Sequence, residues 1–255
     1  MTTADDHALA ADLARRAGEL LIALRERATE LAHALGDEGD RRSHELIMAA
    51  LADSRPDDAV LSEEGADDST RLEADRVWIV DPLDGTREFG EPPRTDWAVH
   101  VALWERAAAG DGHGLTAGAV ALPALGQVLA TADSPPATTR HTGPPRLVVS
   151  RSRPPAAATH LRDALGGILV EMGSAGAKTM AILRDEADVY AHSGGQFEWD
   201  SAAPVAVAAA AGLHVSRIDG SALSYNSADP YLPDLLVCRP DLAAPALDAL
   251  ASFDP

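Results

Sequence analysis

The chain has 255 residues, with 40 acidic side chains against 21 basic ones and a formal charge of −19. That balance excludes electrostatic capture of a nucleic-acid backbone or an anionic membrane, and a composition 46% apolar and 24% charged excludes disorder of the whole chain. The single cysteine, Cys238, excludes an internal disulfide and a thiolate metal cage.

This length suits one domain or two. The first thirty residues read as one long helix, with Leu9, Leu13, Ala17, Leu20 and Leu24 at three- and four-residue steps. The segment LGDEGD (35–40) is expected to break it. A second helix then follows, opened by Asp40 as a natural N-cap, with Leu46, Ile47, Ala50 and Leu51 on one face. It should end before Arg55-Pro56. Five short β-rich runs come next: AVLSEE, RVWIVDP, WAVHVALWE, TAGAVALP and GQVLATAD. Two helices followed by strands make an α+β half, over 1–135. Asp133 to Pro145, rich in Pro, Ser, Thr and Gly, reads as a linker.

From Arg146 strands and helices alternate: RLVVS, PPAAATHLRDAL, ILVEMG, AGAKTMAILRDE, DVYAHS, SAAPVAVAAAAG and LHVSRI. That rhythm makes the second half, 146–255, α/β. The longest weakly polar run, Ala202 to Leu213, is too short to span a bilayer and contains Pro204 and Gly212. The N-terminus lacks the basic-then-apolar pattern of a signal peptide, so a soluble cytoplasmic protein is expected.

The strongest chemical signal is Val77-Trp-Ile-Val-Asp81-Pro-Leu-Asp84-Gly-Thr86. An apolar strand ends at Asp81, and Pro82 forces a turn there. Two carboxylates at the mouth of a strand can bridge hard cations. The amides of Gly85 and Thr86, at the start of a helical turn, suit a phosphate oxygen. Both halves of the motif aim at metal-assisted attack on a phosphate ester. An anionic substrate on an acidic protein needs local positive charge, which divalent cations supply. Glu63 and Glu64 close the strand AVLSEE, and Asp200 opens the helix SAAPVAVAAAAG; alone they are a loop acid pair and an N-cap. No histidine pair stands at helical ligand spacing, which argues against zinc. A haloacid-dehalogenase motif needs one residue between its aspartates, and here Pro82 and Leu83 make two.

Taken together, Ser62-Glu63-Glu64, Asp81-Pro-Leu-Asp84-Gly-Thr86, Trp199-Asp200-Ser-Ala-Ala-Pro and Ala211-Gly212 resemble the magnesium-dependent, lithium-sensitive inositol monophosphatase superfamily. The resemblance covers roughly residues 10 to 240 and implies a layered α/β/α/β/α sandwich. It implies two or three Mg²⁺ ions per site. Glu63, Asp81 and the carbonyl of Leu83 would hold one; Asp81, Asp84 and Asp200 would hold the second. Thr86 and Asp40 would position and deprotonate the attacking water. Asp37 is the alternative to Asp40, because LGDEGDRRS departs from the usual Val-Thr-x-Ala-Asp lead-in.

Three features resemble the CysQ-type 3′(2′),5′-bisphosphate nucleotidases within that superfamily. They are Glu88-Phe89 after the motif, the segment Gly173-Ser174-Ala-Gly-Ala-Lys178, and the loop AHSGGQFE between Tyr190 and Asp200. Val149-Ser-Arg-Ser152 and Leu223-Ser-Tyr-Asn226 point the same way. The implied activity is removal of the 3′-phosphate from 3′-phosphoadenosine 5′-phosphate, and from its phosphosulfate analogue. Gly85, Thr86, Gly173, Ser174 and Lys178 would contact substrate, with Arg151 or Arg153 as further cations. The usual Ser-Arg-Ser-His reads Ser-Arg-Ser-Arg153 here. The resemblance also implies a role in sulfate assimilation and a homodimer. An inositol phosphate or fructose 1,6-bisphosphate is the alternative substrate, and a catalytically inactive binding protein on this fold is the alternative class.

Overall fold

Two long amphipathic helices, α1 (Ala4–Glu26) and α2 (Leu35–Ser54), open the chain in the computed structural model. It describes residues 4–27, 34–109, 113–133, 143–151 and 154–253. The expected break at 35–40 is instead the first turns of α2. Asp37 and Glu38 favour a helix start there through the N-terminal dipole. Gly36 and Gly39 are in the helix because of what faces them. A Cβ on Gly36 would come within 2.6 Å of Thr86 Cγ2, and one on Gly39 within 2.9 Å of Leu83 Cδ2. Asp40 is therefore a buried residue in the second turn of α2, not its N-cap.

The expected β-rich runs form one mixed sheet, in the order β1 (Ala59–Ser62), β2 (Arg76–Asp84), β3 (Ala98–Glu105), β4 (Leu115–Leu122), β5 (Gln127–Ala130). Strands β1 and β2 are parallel and the other neighbours antiparallel. Single helical turns, α3 (Thr86–Phe89) and α4 (Arg106–Ala109), follow β2 and β3. The second sheet has the order β7 (Ile168–Met172), β6 (Arg146–Ser150), β8 (Val189–Phe197), β10 (Tyr231–Cys238), β9 (His214–Ser216). Its helices are α5 (Ala156–Leu165), α6 (Ala175–Leu183), α7 (Glu198–Ala210) and α8 (Pro240–Leu250). The sequence pattern names no element after Ile218, so β10 and α8 come from the structure. Residues 134–142 of the expected linker, and Ser152 and Arg153, lie outside the described residues.

Side-chain alternation assembles these elements into layers. Trp78 and Val80 of β2 point to α1 and α2, packing with Leu13, Ala17, Leu21 and Ile47. Val77 and Ile79 point the other way, to Met180, Ala203 and Val207 of α6 and α7. Tyr190, Leu235 and Val237 of the second sheet close the same central core. On that sheet's outer face Leu147, Val189 and Leu236 pack against Leu161 of α5 and Leu250 of α8. The order is helices, sheet, helices, sheet, helices, which is the expected α/β/α/β/α sandwich. Both faces of β2 and β3 are covered, hence their near-continuous apolar runs. The central pair α6 and α7 also meets the ends of β2 and β3, and there the polar residues gather.

Candidate active site

Strand β2 delivers Asp81 and Asp84 to one point. It runs past the expected end at Asp81 to Asp84, with the pairing to β3 shifted between them. Pro82 has no N–H to donate, so the ladder is interrupted there. The freed turn closes on itself: Leu83 N–H donates to Asp81 Oδ1 at 3.0 Å, and Thr86 Oγ1 donates to the Leu83 carbonyl at 3.1 Å. Gly85, at φ +87°, adopts a left-handed conformation with Ser174 and Asp96 close by. Ser43 of α2 ties down the Pro82 carbonyl at 2.7 Å.

Neighbouring elements bring the other acids in. Parallel pairing sets Ser62 beside Val80, so Glu63 falls next to Asp81, and their carboxyl groups share a hydrogen bond. Asp200 is the third residue of α7 rather than its N-cap; its Oδ2 accepts the Phe197 N–H at 2.6 Å. From α2, Asp40 Oδ1 stands 3.4 Å from Thr86 Oγ1. It is Asp40, and not the alternative Asp37, that the close approach of Gly39 to Leu83 and Phe89 carries to this hydroxyl.

The electrostatics follow from crowding acids around the buried Asp81 and Asp40, with Glu63 and Glu64 at the exposed rim. Burial pushes Asp40 up to about 7, helped by Glu64 and Glu63. Burial and the charges of Asp200 and Asp84 raise Glu63 to about 7. Asp200 is raised to about 6 by burial and Asp84. Asp81 lies well above the ordinary carboxylate range, from burial and then from Asp84, Glu63 and Asp200. Asp84 is the exception. Burial works to raise it, but His100, Lys178 and Ser174 hold it below its ordinary value. Its Oδ2 accepts Ser174 Oγ–H at 2.5 Å and Gly176 N–H at 2.8 Å, both from the head of α6.

His100 is the residue that sequence reasoning misses. It is fully buried on β3, with Nε2 3.2 Å from Asp84 Oδ2 and Nδ1 3.1 Å from the Trp199 carbonyl. The expected set of Glu63, Asp81, Leu83, Asp84 and Asp200 is thus joined by an imidazole. One signal was available: a lone histidine inside the apolar run WAVHVALWE must have polar company.

The expected substrate contacts are less open than the motif suggests. Gly173 N–H already donates to Asp96 Oδ2, at 2.5 Å, and a Cβ on Gly173 would strike Glu88. Ser174 caps α6 through Ala177 N–H as well as binding Asp84. Arg151 spends its guanidinium on Glu88 at 2.7 Å and Glu91 at 2.6 Å. Lys178 is 6% exposed, so it is not a solvent-facing helix lysine. Its Nζ lies 5.2 Å from the Tyr190 ring centroid. Burial lowers its pKa, against the pull of Asp84, Glu88 and Asp200.

These residues fit a metal. Ligand atoms of Asp81, Asp84 and His100 lie within 4.8 Å of one another, and Glu63 and Asp200 stand near enough to raise Asp81 by their charge. Burial first, and then repulsion from one another and from Asp84, raises Glu63, Asp81 and Asp200, and a hard cation would relieve that repulsion. No helix among the described residues is long and apolar enough to cross a membrane.

Known proteins share this architecture. The chain is 53% identical over 245 residues to a 3′-phosphoadenosine 5′-phosphate phosphatase of Mycobacterium leprae, covering 93% of this chain and 90% of that protein. It is 31% identical to the 3′(2′),5′-bisphosphate nucleotidase CysQ of Escherichia coli, over 76% of this chain and 80% of that one. Among solved structures, CysQ from Bacteroides thetaiotaomicron superposes with a TM-score of 0.78 at 26% identity, over 92% of this chain and 97% of the other. The model of the inositol monophosphatase family matches residues 5–248. With that match running from the start of α1 to the last turn of α8, the chain belongs to the inositol monophosphatase family.

Proposed function

We propose that the chain is a Mg²⁺-dependent phosphomonoesterase that removes the 3′-phosphate of 3′-phosphoadenosine 5′-phosphate, leaving AMP. The observation that carries this reading is the convergence of Glu63, Asp81, Asp84 and Asp200 beside the Thr86–Asp40 pair. The 53% identity to a phosphatase named for that nucleotide supplies the substrate.

In this reading Glu63, Asp81 and the Leu83 carbonyl would hold one ion, and Asp81, Asp84 and Asp200 would hold another. Bound Mg²⁺ lowers the pKa of water and neutralises charge on the leaving oxygen. The chain's own groups do the rest. Thr86 Oγ1 has one proton and lies in reach of both the Leu83 carbonyl and Asp40 Oδ1; turned to Asp40, the hydroxyl donates to that carboxylate and accepts from the attacking water, which orients it. Asp40, which burial raises above the ordinary carboxylate range, takes the Thr86 proton as the hydroxyl takes one from the water. The amides of Gly85 and Thr86 donate to the phosphate oxygens. Lys178, a buried cation whose ammonium makes no hydrogen bond among the described residues, is kept for the 5′-phosphate. The phosphosulfate analogue has the same 3′-phosphate and is a substrate on the same grounds. A cytoplasmic homodimer inhibited by lithium, serving sulfate assimilation, completes the proposal; light scattering checks the dimer.

The test compares kcat/KM for the adenosine bisphosphate, inositol 1-phosphate and fructose 1,6-bisphosphate on one preparation. The nucleotide should lead, and exhaustive chelation should abolish all three activities, with Mn²⁺ restoring part. A preference for inositol 1-phosphate or fructose 1,6-bisphosphate would replace the substrate, and full activity in EDTA would remove the metal.

A further inference from the structure

The buried ring of His100 joins two elements that carry acids of the site. One nitrogen, Nε2, packs 3.2 Å from Asp84 Oδ2, at the end of β2, and makes no hydrogen bond among the described residues. The other faces the Trp199 carbonyl in the first turn of α7, one residue before Asp200, at 3.1 Å. Nδ1 also lies 3.9 Å from Asp81 Oδ2. Space for the ring is made by another element. A Cβ on Gly176 of α6 would sit 2.0 Å from His100 Nε2, and Gly176 N–H itself donates to Asp84 Oδ2. Asp84 Oδ2 is thus enclosed by Ser174, Gly176 and His100.

We propose that His100 is a positioning residue for the metal site, and that Gly176 is a glycine in order to admit it. By packing against Asp84 Oδ2 while bonding the Trp199 carbonyl through Nδ1, the ring restricts the Asp84 rotamer and sets the separation of the end of β2 from the start of α7, and so of Asp84 from Asp200. A carboxylate free to rotate, or a helix start free to drift, presents its oxygens to a cation at a cost in affinity. Groups that orient metal ligands typically change metal affinity by about 10- to 100-fold when removed. The inference rests on the carboxylate cluster being a metal site.

The experiment titrates Mn²⁺ and Mg²⁺ into the full-length protein without substrate, by Mn²⁺ electron paramagnetic resonance and by calorimetry. His100→Ala should weaken both ions by about 10- to 100-fold and by the same factor, while KM for substrate stays within about threefold of wild type. His100→Asn, which keeps one donor, should recover part of the loss. Gly176→Ala should reproduce it, because its methyl takes the place of the ring. In the His100→Ala background the same Gly176→Ala change should cost little, so the double-mutant cycle is strongly non-additive. Unchanged affinity in His100→Ala, or an additive cycle, would overturn the proposal. A change in the preference between Mn²⁺ and Mg²⁺ would overturn it differently, by making His100 a ligand. Wild-type protein that binds neither ion would remove the metal reading itself, which separates that failure from this one.

Discussion

Asp81 and Asp84 stand three residues apart, and their surroundings give them opposite effects on the fold. Asp81 is buried beside Glu63 and raised well above the carboxylate range; its one backbone bond, from Leu83 N–H, survives in asparagine. Asp84 accepts hydrogen bonds from Ser174 and Gly176 and, with His100 and Lys178 nearby, is held below its ordinary value against its burial. Both Asp81→Asn and Asp84→Asn should lower kcat by orders of magnitude. In EDTA, Asp81→Asn should leave the melting temperature level or raise it. Asp84→Asn should cost about 1.5–3 kcal/mol, the usual worth of hydrogen bonds to a charged group. Equal losses in both variants would contradict that distinction. Lys178 is tested by substrate. Lys178→Ala should lower kcat/KM for the adenosine bisphosphate by roughly 10- to 150-fold, as a charge-assisted phosphate contact requires. Turnover of inositol 1-phosphate should barely change. If both fall together, Lys178 balances Asp84 and Asp200 instead of reading a second phosphate.

Helix α2 shows how an element is set by what it touches. On propensity alone, Gly39→Ala in a helix interior should stabilise by roughly 1 kcal/mol. The added Cβ would lie 2.9 Å from both Leu83 Cδ2 and Phe89 Cε1, and 3.2 Å from Leu21 Cδ2. Overpacking of this kind costs about 1–3 kcal/mol, so the net effect should be zero or destabilising by up to about 2 kcal/mol. The sharper consequence is geometric. Pushing α2 away from the β2 turn separates Asp40 from Thr86, now 3.4 Å apart. Gly39→Ala should therefore lower kcat by about tenfold or more, since small misplacements of a proton acceptor are costly, with KM nearly unchanged. Full activity with a raised melting temperature would show that α2 can shift without moving its carboxylate.

At the scale of the molecule, the acid cluster predicts how stability varies with pH. Glu63 and Asp40 near 7, Asp200 near 6 and the raised Asp81 bind more protons folded than unfolded between roughly pH 4 and 7. Stability of the metal-free protein must then fall as pH rises through that window. Asp188 has the opposite sign. Burial raises it, but Arg146 and Arg239 pull it down to about 2, so its contribution is lost as pH falls from about 4 through 2. The metal-free protein should be most stable at mildly acidic pH. Mg²⁺ needs the ionised acids, so its increment in melting temperature should be larger at pH 8 than at pH 5. Melting curves in EDTA and in Mg²⁺ across pH 4–8 check both; a metal-free protein that gains stability up to pH 8 would contradict the buried cluster.

What the sequence determined by itself is what short-range physics controls. Helical spacing of Leu9 to Leu24 marks α1, and the apolar run Val77–Val80 cut by Pro82 marks β2 and its turn. Asp81, Asp84 and Thr86 were legible as one motif because they lie within six consecutive residues. Glu63 and Asp200 entered only through resemblance, since a loop acid and a helix-start acid have sufficient local explanations. Tertiary structure decided the rest. Gly36 and Gly39 look like breakers until Thr86 and Leu83 are packed against them. Asp200 reads as a cap until α7 is laid beside β3. Along its own strand His100 shows only that it needs a polar partner; it meets Asp84 and Trp199 only where β2, β3 and α7 converge. Lys178 has the same helical spacing whether it faces water or the core. A side chain's periodicity depends on its own element, but its burial, partners and charge depend on what that element is packed against.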